Sequence, residues 1–278
     1  VRPGIDFCAK TILRLGVAFL GIRITFSDIS AIGVNTGLMV ICAVVATVTL
    51  GFLLAKLLKL SPDFGLIAGG SVGICGASAA LAVASVLPKS KENEQFTLLV
   101  VVGVTVLSTI AMVTYPFGLR MLDVDNLSAG IFIGATIHDV AQVVAAGMLF
   151  GPEAGDVSTV VKLFRVALLL PVVLVISIFF GAQKSTNKLG WGSLKLIPTF
   201  LLGFVALSIV ASMKILPLVL TQQISGLSRW MLVIAIAAAG LKTNFEELAK
   251  LGWQPVLMLV VETLFIALLG LIFIFYIA

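Results

Sequence analysis

Gly65-Leu-Ile-Ala-Gly-Gly-Ser-Val-Gly-Ile-Cys-Gly-Ala-Ser-Ala-Ala-Leu-Ala82 contains no charged residue and five glycines. A run this long and this apolar reads as a membrane span, since a bilayer core needs about 20 such residues in helical form. Gly65, Gly69 and Gly73 recur every four residues and form a small-residue stripe on which another helix can lie close. Gly70, Gly73 and Gly76, together with Ser71, Cys75 and Ser78, put more backbone freedom and more hydroxyl into one stretch than close packing needs. The helix is therefore expected to unwind there, exposing amide N–H groups and a helix N-terminus that favour an anion.

The rest of the chain agrees with a membrane setting. Hydrophobic residues make up 60% of the 278 positions and charged residues 11%, whereas soluble domains are roughly half apolar and one quarter charged. Lipid supplies no partners for backbone groups, so the apolar runs are expected to be helices, and the short alternating strands of a β-barrel are absent. The expected fold class is all-α, a polytopic transmembrane helical bundle in a single domain, 1–278. Nine segments are marked by polar punctuation: 8–25, 34–58, 65–87, 96–118, 127–150, 158–181, 194–218, 229–245 and 253–277. If all nine cross, ten Lys/Arg fall on one side and five on the other, which places residues 1–7 in the cytoplasm.

The formal charge of +5 is spread over loops and helix ends, so nucleic acid is not an expected partner. Cys8, Cys42 and Cys75 are far apart within apolar runs, and the chain has one histidine, so neither a disulfide framework nor a metal site is legible. No cofactor is expected. The chain starts at Val1 without a signal-peptide pattern and is read as a piece of a longer protein.

Two internal echoes are present. Gly21-Ile-Arg-Ile-Thr-Phe-Ser-Asp-Ile-Ser-Ala-Ile-Gly33 aligns without gaps on Gly240-Leu-Lys-Thr-Asn-Phe-Glu-Glu-Leu-Ala-Lys-Leu-Gly252, 219 positions later. Val72-Gly-Ile-Cys-Gly-Ala-Ser-Ala79 aligns more weakly on Ala135-Thr-Ile-His-Asp-Val-Ala-Gln142, 63 positions later. Chance similarity between membrane loops is the competing account of the first. Repeats with Gly-rich breaks in corresponding places mark secondary transporters, whose discontinuous helices meet near the midplane.

Ionisable groups at membrane depth are costly and face a cavity or a partner. His138 is followed at once by Asp139, and on a continuous helix His138 and Gln142 would share a face with Asp139 close by. A hydrogen-bonded cluster joining helices is the bland account; a substrate or proton site is the sharper one. Lys162 and Arg165 stand three apart on one helix face, where they would repel unless an anion, a carboxylate or water separates them; snorkelling to the interface is the alternative. Arg14 and Glu262 lie inside spans, and Arg23 reads as an anchor at a helix end. No nucleophile elbow, P-loop or pair of catalytic carboxylates is present, which argues against an enzyme.

Leu13-Arg-Leu-Gly16, Gly21-Ile-Arg-Ile-Thr-Phe-Ser27, Ile74-Cys-Gly-Ala-Ser78, His138-Asp-Val-Ala-Gln-Val-Val-Ala-Ala-Gly147, Lys162-Leu-Phe-Arg165 and Ala238-Ala-Gly-Leu241 resemble the YeiH-type family of bacterial inner-membrane proteins over essentially the whole chain. Its members are described as sulfate exporters and carry about two further helices ahead of the position of Val1, so the resemblance implies a start that is truncated here. Gly73 to Pro116 also resembles the broken-helix unit of the bile acid, arsenite and riboflavin transporters, which implies an inverted repeat with crossing discontinuous helices and a substrate held between a panel and a core domain. The function so implied is a secondary transporter in the bacterial inner membrane, moving a small anion of the sulfate or organosulfonate class by alternating access. The expected site is Ser71, Gly73, Cys75, Gly76, Ser78, His138, Asp139, Gln142, Lys162 and Arg165, with His138 and Asp139 coupling transport to protons. A homodimer is left open. The competing reading is a channel, or a carrier of a neutral or zwitterionic molecule in which Asp139 and Glu262 bind Na⁺ or H⁺.

Overall fold

The computed structural model describes residues 2–23, 33–88, 90–180, 199–213, 216–242 and 253–276. Every regular element among the described residues is helical. In chain order they are α1 (Arg2–Phe7), joined through a π-helical turn at Cys8–Ile12 to α2 (Leu13–Leu20), then α3 (Gly33–Leu57), α4 (Pro62–Gly73), α5 (Ala77–Val86) and α6 (Lys91–Met121). There follow α7 (Asn126–Thr136), α8 (Val140–Phe150), α9 (Pro152–Ala167), α10 (Leu169–Phe180), α11 (Thr199–Ser212), α12 (Leu218–Lys242) and α13 (Trp253–Tyr276).

Among the described residues four stretches, Gly33–Leu57, Gln95–Met121, Pro152–Ile178 and Trp253–Tyr276, are long and apolar enough to cross a membrane. Their outward faces carry large apolar side chains in the open, including Leu38 and Leu53 on α3, Val113 and Phe117 on α6, and Leu264 and Leu268 on α13. Lipid solvates such faces at no cost, whereas water would not.

The expected segments 65–87 and 127–150 do not run as single helices. Each is a pair of half-helices: α4 and α5 part at Ile74–Gly76, and α7 and α8 part at Ile137–Asp139. The first break lies within the glycine-rich stretch. The second overturns the expectation that His138, Asp139 and Gln142 share one continuous helix, because Asp139 turns its carboxylate onto the Ala141 amide at 2.8 Å and starts a new helix. Aspartate is a strong N-cap, which explains why the chain restarts there. The two breaks occupy equivalent places in the 63-residue echo, with Ile74 matched to Ile137, Cys75 to His138 and Gly76 to Asp139. The stronger echo involves residues 24–32 and 243–252, which lie outside the described residues, as do the side chains of Arg14 and Arg23.

Caps mark the outer ends. Ser61 accepts from the Phe64 amide at 3.3 Å with Pro62 in the first turn of α4, and Ser90 accepts from Asn93 at 3.0 Å ahead of α6. Asp125 accepts from the Ser128 amide at 3.0 Å ahead of α7. The Ser128 hydroxyl and amide hold the Asp125 carboxyl below its ordinary value.

Helix α3 packs on α4 through glycine. A Cβ at Gly65 would come within 2.6 Å of the Gly51 carbonyl, and one at Gly69 within 2.9 Å of the Thr47 carbonyl. The expected small-residue stripe is therefore a real close approach, and α3 is its partner. Helix α9 packs against both α7 and α8, and α13 packs against α3, α4, α6 and α7. A second group forms around α2, which packs on α11 and α12. Ser208 donates to the Gly21 carbonyl at 3.1 Å and Ser228 to the Gly16 carbonyl at 2.7 Å, fastening α11 and α12 to it. The second group meets the first where α12 packs on α8.

Candidate functional site

Two half-helix pairs whose breaks face each other leave two helix C-termini and two N-termini at one place. A Cβ added to Gly76 would lie 3.7 Å from the backbone and Cβ of His138, so the breaks stand about one methyl group apart. Gly76 has φ +64° and ψ −129°, a conformation that side-chain-bearing residues avoid. Ser71 fixes this turn from both sides: its hydroxyl donates to the Gly76 carbonyl at 2.8 Å, and its carbonyl accepts from the Gly76 amide at 2.8 Å.

The last carbonyls of a helix have no intrahelical donor, and in an apolar interior each needs one. Lys162 and Arg165 on α9 supply them. Lys162 Nζ donates to the Ile74 carbonyl at 2.7 Å and to the Ile137 carbonyl at 2.8 Å, bridging the two breaks. Arg165 donates to Gly73 from Nε at 3.0 Å and from Nη2 at 2.8 Å, to Val72 from Nη2 at 2.8 Å, and from Nη1 to Gly134 at 3.2 Å and Ile137 at 3.1 Å. Both side chains are buried, 0% and 1% exposed, which disposes of snorkelling to the interface. Neither ion-pairs with a carboxylate among the described residues; what separates the like charges is a set of carbonyl oxygens from α4, α7 and the two breaks.

His138 is fully buried, and its Nε2 lies 2.9 Å from the Thr263 hydroxyl on α13. That hydroxyl also lies 2.7 Å from the Leu259 carbonyl, so the imidazole tautomer sets which of the two accepts its proton. Nδ1 makes no hydrogen bond among the described residues. The Asp139 amide donates to the Ser108 hydroxyl on α6 at 3.1 Å, and Gln142 Nε2 approaches Thr109 at 3.4 Å while its buried Oε1 makes no hydrogen bond among the described residues.

Ser71, Gly73, Cys75, Gly76, His138, Asp139, Gln142, Lys162 and Arg165 thus gather at one crossing. Ser78 stands in the first turn of α5 and is exposed. The two N-termini differ: α8 is capped by Asp139, whereas α5 begins at Gly76 with no side-chain cap. Three participants had no signal of their own in the sequence, namely Ser108, Thr109 and Thr263, hydroxyl residues within apolar helices whose partners are far away in the chain. Thr263 alone adjoined a flagged residue, Glu262. No group of three His, Cys, Asp or Glu side chains gathers anywhere among the described residues.

Comparison with known proteins places this architecture among membrane proteins. The family model described as conserved hypothetical protein 698 matches residues 1–259. Similar proteins include UPF0324 membrane protein CT0845 of Chlorobaculum tepidum, 45% identical over 96% of this chain and 74% of the relative. UPF0324 membrane protein TauZ of Paracoccus denitrificans is 42% identical over 95% of this chain and 78% of its own length. A UPF0324 membrane protein of Bacillus cereus is 33% identical over 98% and 79%. No solved structure matches.

Proposed function

Because the chain belongs to the family of conserved hypothetical protein 698, whose relatives are called UPF0324 membrane proteins, we propose that it is a secondary transporter of the bacterial inner membrane that carries a small anion of the sulfate or organosulfonate class by alternating access. The carrying observation is the charge at the crossing. Lys162 and Arg165 bring two positive charges. The C-terminal dipoles of α4 and α7 offset about half a charge each, the N-terminal dipoles of α5 and α8 return about as much, and Asp139 cancels one, so about one positive charge is left over. An anion is the complement of that surplus.

The N-terminus of α5, which has no side-chain cap, is where it would bind, with Ala77 and Ser78 amides as donors, the Ser78 hydroxyl on the open side, and Cys75, Gly76, His138 and Gln142 around it. Arg165, with all its N–H groups engaged, and Lys162, with two of its three engaged, would act mainly through the field they set and the breaks they hold. Alternating access would move the crossing of α4–α5 and α7–α8 against the group built on α2, α11 and α12. No catalytic step is needed for this activity.

The test is a thermal-shift screen of the purified full-length protein. Sulfate and small sulfonates should raise the melting temperature, by about 2.7 kcal/mol of stability at a hundredfold excess over the dissociation constant, while choline and sorbitol should not. No shift with any anion, together with no saturable counterflow in proteoliposomes, would sink this reading. The competing carrier of a neutral or zwitterionic molecule coupled to Na⁺ or H⁺ draws support from the unpartnered Glu262; it predicts a shift with zwitterions and with Na⁺ or acid instead. Conductance that does not saturate would favour a channel.

A further inference from the structure

Glu262 lies in the middle of α13, is 0% exposed, and has no hydrogen bond on either carboxyl oxygen among the described residues. Its place is made by a missing side chain. A Cβ at Gly51 would fall 2.6 Å from Glu262 Oε1, 2.6 Å from the Gly65 carbonyl oxygen and 2.9 Å from the Gly69 Cα. The carboxyl therefore fills the notch where α3, α4 and α13 meet. Around it on α13 the buried face carries Met258, Leu259 and Ile266, and the one neighbouring polar side chain, Thr263, is bonded to Leu259 and His138.

The charged and titratable groups on the helices packed against α13 are all engaged elsewhere or at the ends. Helix α3 carries Cys42 and Lys56, both exposed. On α4, Asp63 sits in the first turn and accepts from Asn93 Nδ2 at 3.0 Å. On α6, Lys91, Glu92 and Glu94 lie in the first turn, Tyr115 packs on the Phe132 ring, and Arg120 donates to the Leu149 and Phe150 carbonyls. Helix α7 has no titratable residue. None of these ion-pairs with Glu262. Beyond them, His138 contacts Thr263, and Lys162 and Arg165 hold the broken ends.

We propose that Glu262 is a proton-binding site whose loading and release are coupled to the opening of the α3–α4–α13 crossing; the coupling rests on the transporter reading above. A bare carboxylate in a dry notch without donors is far costlier than a carboxylic acid there. With the crossing closed, one proton from bulk water occupies an O–H bond on Oε1 or Oε2. Its release as hydronium leaves a carboxylate that must be hydrated, and hydration requires α13 to part from Gly51, Gly65 and Gly69. Thr263 is the next residue, so the same displacement withdraws the hydroxyl bonded to His138 Nε2 at the candidate anion site. The proton and the anion then share one moving element, with the proton on Glu262, which the sequence offered for H⁺ only in the competing reading, in place of His138 and Asp139.

The experiment has two arms, both on the full-length protein. Infrared difference spectra between wild type and Glu262→Gln at neutral pH should show a carboxylic acid C=O band, shifting in D₂O, that the variant lacks. Glu262→Asp should keep such a band at a displaced frequency, which keeps this arm informative should the Gln variant fold poorly. In proteoliposomes, an inwardly directed pH gradient should drive wild-type anion accumulation by up to about tenfold per pH unit for one proton per anion, whereas Glu262→Gln should exchange anion for anion yet accumulate none. Identical infrared spectra would overturn the proton site. An acid band lost in Glu262→Gln with accumulation unchanged would overturn the coupling. Absence of any anion transport in the wild type would instead remove the transporter reading, and with it the coupling, while the infrared result decides the proton site by itself.

Discussion

Arg165 spends its whole fork of donors on the backbone, and the consequence for mutation is specific. Replacing it with Gln leaves carbonyls of Val72, Gly73, Gly134 and Ile137 under-satisfied in an apolar interior, and each orphaned buried group costs about 1–3 kcal/mol. Arg165→Gln should therefore lower the melting temperature by the equivalent of about 3 kcal/mol or more, and Arg165→Lys should not restore it, because an ammonium cannot reproduce the planar fork. Lys162→Gln, with two carbonyls at stake, should cost less. With these donors committed to carbonyls, both substitutions should lower stability more than anion binding, and melting curves with and without anion separate the two. At Gly76 the backbone sets the penalty: Gly76→Ala has room, with His138 3.7 Å away, but forces a side chain into φ +64°, at a cost of about 1–3 kcal/mol. Gly73→Ala meets only ordinary contacts at 3.4–3.7 Å and should be nearly neutral in stability, so a comparison of the two by thermal unfolding isolates the turn.

Among the elements, the half-helix α7 is held at one end by Asp125 and at the other by Lys162 and Arg165. Asp125→Ala should destabilise by about 0.5–2 kcal/mol, the usual worth of an N-cap. Since the folded-state carboxyl lies below its ordinary 3.8, its contribution is present above that value and fades as pH falls through the folded-state value; wild type and Asp125→Ala should thus converge in stability under acid. The element pattern was legible in part. Gly70, Gly73 and Gly76, with the hydroxyls beside them, announced the first break, because they exceed what the packing of Gly65 and Gly69 on α3 uses. The second break carries no glycine at its centre, and helical spacing of His138 and Gln142 suggested continuity. Its trace was the echo of Ile74-Cys-Gly76 in Ile137-His-Asp139, together with an aspartate able to cap. The partners of Lys162 and Arg165 were not legible, since backbone carbonyls carry no residue identity. Periodicity says which face a side chain occupies, and says nothing of which helix lies opposite.

For the molecule as a whole, the two packed groups meet where α12 rests on α8, and the alternating access proposed above would require that contact to change. A disulfide engineered between facing turns of α8 and α12 should abolish uptake in proteoliposomes while leaving anion-induced thermal stabilisation intact, and reduction should restore uptake. Retained uptake in the oxidised protein would show that the boundary is rigid. The latch formed by α9 also bears on how the chain is made. Both broken spans leave the ribosome before residues 162 and 165 do, so their innermost carbonyls enter the bilayer without the donors that complete them. A nascent chain arrested after Phe150 holds two unfinished hairpins that only chaperones, the insertion machinery or water can shelter. Synthesis of one further helix supplies those donors, so a chain arrested before Arg165 should be degraded faster than one arrested after Ala167, which pulse-chase labelling would read.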